Sequence, residues 1–324
     1  NGTATGTITI TNTNTKVTSE TIDIPVTKKW VDSDNVLSAR PENLKVTLAT
    51  KNAAGEVTEI ADKTLTLNDA NNWSGTFTDL DKKDGAGNLI NYTVVENDVN
   101  GYTGKLELTK DENGVVTAAE LTNTLNVGKI QIAKLFSGDL DDTKLTDAQK
   151  RQITFTIAGP DEYKGPTSVT YDQFTAGSYV VKNAPYGTYT ITETNAAFDG
   201  YKNTVTYAVG ASKNDTDATV EISSDATSLV TITNTYTAYV NISGTKVWDD
   251  NNNQDGKRPN NITVIVKNGD TEVDRKTVTP DAAGNWAYSF ENLPKYDASG
   301  KAIAYTVSEA EVTGYNVQIT GSIE

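Results

Sequence analysis

Tyr92-Thr93-Val94-Val95-Glu96 recurs as Tyr189-Thr190-Ile191-Thr192-Glu193 and again as Tyr305-Thr306-Val307-Ser308-Glu309. Each copy is rich in aromatic and β-branched residues and reads as a β-strand. Side chains alternate across a strand, so Tyr305, Val307 and Glu309 share one face, as do their counterparts. That face is the apolar one, so each copy aims a carboxyl group into a core. A buried carboxylate is expensive unless it is paired or protonated. Each repeat must carry a group that answers it.

Working outward, an alternating strand upstream of each copy sets a lysine among apolar neighbours. The three strands carry Ile24, Val26, Lys28 and Trp30; Ile130, Ile132, Lys134 and Phe136; and Val240, Ile242, Gly244, Lys246 and Trp248. Downstream, Asn123 sits between Leu121 and Leu125, and Asn234 shares a face with Val230, Ile232 and Tyr236. Spacings repeat as well. Trp30 precedes Pro41 by the interval that separates Trp248 from Pro259, and Trp73 precedes Tyr92 as Trp286 precedes Tyr305. Gly101-Tyr102 and Gly314-Tyr315 follow their glutamates at one distance. Matching offsets at so many positions mean repeated domains, the second a diverged relative.

With 324 residues, the repeat implies three domains of ordinary size. Hydrophobic content of 36% and abundant Thr, Asn, Asp and Gly suit an all-β chain of sandwiches with one face wet. The expected divisions are 1–16, a lone alternating strand (Thr7–Thr13); 17–125; 126–236; and 237–324. Connections near 125 and 237 lack Pro-rich or Gly/Ser linkers, which predicts a stiff rod of modules. A capping box at Thr146-Asp147-Ala148-Gln149 predicts a short helix, and Asn113-Gly114 a hairpin.

A net charge of −15 argues against nucleic acid or an anionic membrane surface as partner. No stretch is apolar enough to span a bilayer. Cys, Met and His are absent, which excludes disulfides, thiolate nucleophiles, His-based triads and Cys/His zinc sites. The chain lacks an initiator Met and a signal peptide, so it is expected to be a processed or excised piece. Asp249–Gly256 invites a calcium reading, but Ile262 stands where an EF-hand needs Glu, and a solvated turn fits better. No cofactor or metal is called for.

Lysine, glutamate and asparagine thus recur in apolar strand faces: Lys28, Glu96 and Asn123; Lys134, Glu193 and Asn234; Lys246 and Glu309. Two readings stand. One is a buried ion pair with asparagine completing the hydrogen bonds, a weak stabiliser after desolvation. The other is a reaction. A lysine among apolar side chains loses its proton more readily, and a carboxylic acid there keeps its own. The acid polarises the asparagine carbonyl and shuttles protons, the amine attacks, and ammonia leaves. Two buried titrating groups become one neutral amide.

At these residues the chain resembles the collagen-adhesin B-type (Cna-B) repeats of Gram-positive surface proteins and pilins. The features are Lys-x-Trp near the start, Tyr-Thr-Val-x-Glu late and Thr-Asn-Thr at the end. The resemblance covers essentially the whole chain and is looser in the second module, where Phe136 replaces Trp. It implies immunoglobulin-like β-sandwiches joined into stalks, with spontaneous Lys–Asn isopeptide bonds assisted by glutamate. Carried over, Lys28 bonds Asn123 beside Glu96, and Lys134 bonds Asn234 beside Glu193.

The third module departs from the pattern, because no Thr-Asn-Thr follows Glu309 before Glu324. Ile8, Ile10 and Asn12 of the first segment repeat the alternation of the missing strand. Three arrangements account for this: a fragment cut one strand out of phase from a longer array, donation of the strand to Lys246 of a neighbouring copy, or closure of the chain on itself. The functional expectation is a bacterial cell-surface stalk or pilus-like fibre, whose partners are its own copies or adjacent repeats. The alternative is an adhesin fragment that binds host matrix or glycans. An enzyme acting on an external substrate fits least, since the reactive grouping is buried and used once.

Overall fold

The computed structural model describes residues 6, 9–11, 20–321 and 323. The described chain is all-β apart from α1 (Asp147–Gln152) and short 3-10 turns. Of the segment Thr7–Thr13, only Thr9–Thr11 is described; these residues join no ladder, and Ile10 is 84% exposed. Asn12 lies outside the described residues.

A first compact unit runs through Val127. Its strands are β1 (Thr21–Val31), β2 (Leu44–Lys51), β3 (Val57–Leu67), β4 (Ser74–Asp81), β5 (Tyr92–Glu96), β6 (Tyr102–Lys110) and β7 (Val116–Leu125). They form two sheets, β4-β1-β7-β6 and β3-β2-β5. β1 and β7 run parallel, with Lys28 opposite Leu121 and Trp30 opposite Asn123. Strict alternation buries Ile24, Val26 and Lys28 while Pro25, Thr27 and Lys29 face out, as period two demands. Val26, Val46, Leu48, Phe77, Val94 and Leu121 belong to one core. The expected hairpin joins β6 to β7: Gly114 takes φ +83° and its N–H donates to Asp111 O at 3.0 Å, a left-handed turn that glycine makes without strain.

A second unit begins at Gly128. Here lie β8 (Val127–Gly138), β9 (Thr154–Ala158), β10 (Ser168–Thr170), β11 (Ser178–Pro185), β12 (Gly187–Thr194), β13 (Tyr201–Val209), β14 (Ser212–Asn214) and β15 (Ala218–Ile222). They are followed by β16 (Thr227–Lys246), β17 (Ile262–Asn268), β18 (Thr271–Val278), β19 (Trp286–Pro294) and β20 (Tyr305–Glu309). The sheet orders are β10-β9-β12-β15, β11-β8-β16-β13-β14 and β18-β17-β20, with β19 also on β16. Two cores result, one around Ile132, Phe155, Ile191 and Tyr236, the other around Ile242, Val266, Trp286 and Phe290. Helix α1 starts as expected, with Thr146 and Gln149 capping each other.

The sequence suggests a polar connection near 237, but β16 runs through that point as one strand of 20 residues. Its first half pairs in parallel with β8 and its second half pairs antiparallel with β19. Tyr236 and Ala238 are both buried, so the alternation that serves one core continues into the next without a break.

Candidate functional site

Each lysine comes from one sheet and its glutamate from another. In the first unit Lys28 lies on β1, while Glu96 ends β5 opposite Val46. Lys28 Nζ donates to Glu96 Oε1 and Oε2 at 2.8 and 3.0 Å. Asn123 Nδ2 donates to Glu96 Oε1 at 2.6 Å, while Asn123 Oδ1 is buried without a hydrogen-bond partner. The parallel register places Asn123 two residues beyond the position opposite Lys28, on the same face. Burial pushes the Lys28 ammonium below its ordinary range, against the pull of Glu96.

The Lys134 site repeats this arrangement more tightly. Lys134 faces Ile232 on β16 and Asn234 faces Phe136, the same two-residue offset. Lys134 Nζ is 3.0 Å from Glu193 Oε1, with both side chains 0% exposed. None of Lys134 Nζ, the two Glu193 oxygens or Asn234 Oδ1 has a well-formed hydrogen bond. Asn234 Nδ2 donates instead to Tyr236 OH at 3.2 Å, and that hydroxyl donates to Ala196 O at 2.7 Å. Burial, opposed by Glu193, lowers Lys134 to about 8. Polar atoms in contact but unsatisfied are costly at rest, and joining them removes that cost.

At the third site Lys246 Nζ donates to Glu309 Oε2 at 3.0 Å. Glu309 Oε1 is buried without a hydrogen-bond partner among the described residues. All three lysines lie against an aromatic ring, with Nζ 4.6 Å from the Trp30 centroid, 4.7 Å from Phe136 and 4.5 Å from Trp248. The structure brings Lys28, Glu96 and Asn123 together and pairs Lys134 with Glu193 and Lys246 with Glu309, while Asn234 lies on the Lys134 face but bonds Tyr236.

One group of residues escaped the sequence reading. Asp32 accepts Arg40 Nε and Nη2, both at 2.7 Å, and the Tyr102 hydroxyl at 2.9 Å. Tyr102 packs edge-on against Trp30, which covers Lys28. Arg40 holds the Asp32 carboxyl down at about 2. The loop after Trp248 repeats the clasp, with Asp250 bound by Arg258 and Tyr315. The segment that invited a calcium reading thus has one of its carboxylates committed to an arginine, rather than being a wholly solvated turn. Both loops run through three consecutive left-handed residues, Ser33-Asp34-Asn35 and Asn251-Asn252-Asn253. The signal was available as Asp two residues after each Trp and Arg ten after it.

Comparison with known proteins agrees with this anatomy. The profile of the Cna protein B-type domain matches residues 24–124 and 242–323. A family described as a domain of unknown function (DUF5979) matches residues 130–237. The chain belongs to the Cna protein B-type domain family. It is 33% identical over 312 residues to a collagen adhesin of Staphylococcus aureus, a match that takes in 95% of this chain and 23% of that protein. The chain thus spans about a quarter of that relative's length. Among solved structures, it resembles two B repeat units of the collagen-binding protein of Staphylococcus aureus, with 28% identity, TM-score 0.27, and 94% and 72% of the two chains covered. It also resembles the major pilin of Streptococcus pyogenes, with 16% identity, TM-score 0.39, and 68% and 99% covered. No helix among the described residues is long and apolar enough to cross a membrane.

Proposed function

We propose that the chain is a segment of a bacterial cell-surface stalk or pilus-like fibre. In this reading, three tandem immunoglobulin-like sandwiches are locked by amides formed between Lys28 and Asn123 and between Lys134 and Asn234. The observation that carries it is the meeting of Lys28, Glu96 and Asn123, with every hydrogen bond routed through one carboxyl group. Transfer of a proton from ammonium to carboxylate leaves a neutral amine and a carboxylic acid. With the amide turned over, the acid donates to Asn Oδ1. Lysine Nζ attacks the side-chain carbonyl carbon, the bond to the amide nitrogen breaks, and the proton given up by Nζ leaves with it as ammonia. Chemistry of this kind runs once per site, so the protein is no enzyme in the turnover sense.

The bond would join the first strand of a sandwich to its last. Pulling on the ends then loads covalent bonds rather than the β-ladder. A closed loop of about 95 residues also restricts the unfolded chain, by about 4–5 kcal/mol on the disulfide analogy. Head-to-tail joining through the N-terminal strand extends the same reading. Denaturing intact-mass measurement tests it: two ammonia losses are expected, and Glu96→Ala and Glu193→Ala should each abolish one. Retention of both ammonia losses in either variant refutes the assigned role. A second reading, a matrix-binding repeat, draws on the collagen adhesin relative. Saturable binding to collagen or glycan arrays would favour it.

A further inference from the structure

Asn123 and Asn234 face different neighbours across their sheets. On β6 the residue directly opposite Asn123 is Gly104, and on β13 the residue opposite Asn234 is Val205. Directly opposed residues of an antiparallel pair share a face, so each neighbour stands beside the carboxamide. A Cβ added at Gly104 would lie 3.2 Å from Asn123 Oδ1, with no other contact beyond its chain neighbours. The space this glycine leaves free belongs to a cleft of about 240 Å³, lined by Glu96, Asn97, Asp98, Lys105 and Asn123 among others. Such a volume with polar walls suits several waters. Val205 instead packs against its core. The Lys134 and Glu193 side chains beside it have no solvent exposure, whereas Glu96 keeps 12%.

We propose that Gly104 admits water to the first site and gives Asn123 a second fate, hydrolysis of its side-chain amide to a carboxylic acid, which Val205 denies to Asn234. The proposal rests on the reading of Glu96 as a proton carrier. Glu96 Oε1 already accepts from Asn123 Nδ2, the nitrogen that must leave, at 2.6 Å, and Asn123 Oδ1 is held by no hydrogen bond. A water in the cleft gives a proton to the Glu96 carboxylate as its oxygen attacks the Asn123 side-chain carbonyl carbon. The carbon–nitrogen bond then breaks, and Glu96 hands that proton to the departing nitrogen, which leaves as ammonia. One water is consumed, and Glu96 ends as it began. In the intact chain Lys28 outcompetes water, because its Nζ is held 2.8 Å from Glu96 and need not diffuse in. Both Glu96 oxygens accept from Lys28, so removing the lysine frees them to hold and activate water.

The chain carrying Lys28→Met, held at neutral pH and then digested for peptide mass mapping, is expected to show Asn123 turning into the acid. A cooperative urea transition confirms that this variant is folded. Lys28→Gln, which keeps a donor for Glu96, should behave alike and serves where Met disturbs the core. In either background Glu96→Gln should slow the conversion roughly 100-fold, the lower end of what a positioned acid–base group contributes. Gly104→Val, or the milder Gly104→Ala, should slow it as well. Lys134→Met should keep Asn234 as the amide, and adding Val205→Gly should start its conversion. Asn123 left intact in both Lys28 variants overturns the water route; if the parent chain still loses two ammonias, the bond-forming reading stands. A parent chain with no crosslink at either site, whose Lys28 variants nonetheless convert Asn123, removes the bonds and keeps the water route. Equal conversion of Asn234 in Lys134→Met overturns the role of Gly104. An isoaspartate product, which marks attack by the backbone rather than by water, overturns the route itself.

Discussion

At Lys28 the partner Glu96 keeps 12% of its side chain in solvent and reaches both lysine and asparagine by good hydrogen bonds. At Lys134 both charged groups are sealed from solvent, and the asparagine hangs from a tyrosine hydroxyl instead. The first site is tolerable as a resting ion pair; the second is not. Strength of burial, rather than closeness of the pair, sets how much would be gained by the proposed amide. The aromatic cover differs to match. Trp30 is held down by Tyr102 and the Asp32–Arg40 clasp, whereas Phe136 packs against Tyr171 and Tyr236 inside the core.

The sharpest way to break this comparison is to remove each carboxyl group. Glu193→Ala strands a buried lysine and would prevent the proposed bond, so a loss of several kcal/mol is expected, about 3–5 from the unpaired charge alone. Glu96→Ala should cost less, since water reaches its site. Urea titration of both variants checks this, and equal losses would end the distinction.

Acidity separates the two sites next. In an Asn234→Ala chain, which cannot form the bond, Lys134 titrates near 8 when folded, against 10.5 as the ordinary value. The unfolded state then binds more protons between those values, so stability rises with pH across that window, by up to about 3 kcal/mol. A Lys134→Met/Asn234→Ala control should lack the rise. Asp32 acts with the same sign in a lower pH window, through a favourable partner rather than desolvation. Its folded value near 2, against 3.8, stabilises above 3.8 and is lost as pH falls through about 2. Asp32→Asn should cost about 1.5–3 kcal/mol by weakening a charged hydrogen-bond set, with a red shift of Trp fluorescence reporting the loosened cover of Trp30. The smallest effect is expected from Tyr236→Phe. Losing the hydroxyl that links Asn234 to Ala196 should cost about 1 kcal/mol and free Asn234 to turn toward Glu193, so ammonia release, followed by mass after refolding, should be faster, not slower.

Much of this was legible because period-two alternation is a strong signal and a charged residue interrupting it stands out. Lys28, Lys134 and Lys246 could be placed on core faces without coordinates, and so could their glutamates. What the pattern could not show was which polar groups share a partner. Asp32 and Arg40 lie eight residues apart but Tyr102 is seventy away from Asp32, and their meeting depends on a left-handed loop that only the folded backbone defines. Tyr236 was readable as core, but not as the residue that takes Asn234 away from Glu193. Nor could alternation separate one long strand from two short ones, since β16 keeps the same period on both sides of residue 237.

That uninterrupted strand has a consequence for how the second unit melts. β16 supplies Ile232 to one core and Ile242 to the next, so neither can shed it without fraying its neighbour. In the uncrosslinked Asn234→Ala chain, the amides of Ile232 and Ile242 should exchange with solvent deuterium through one shared opening.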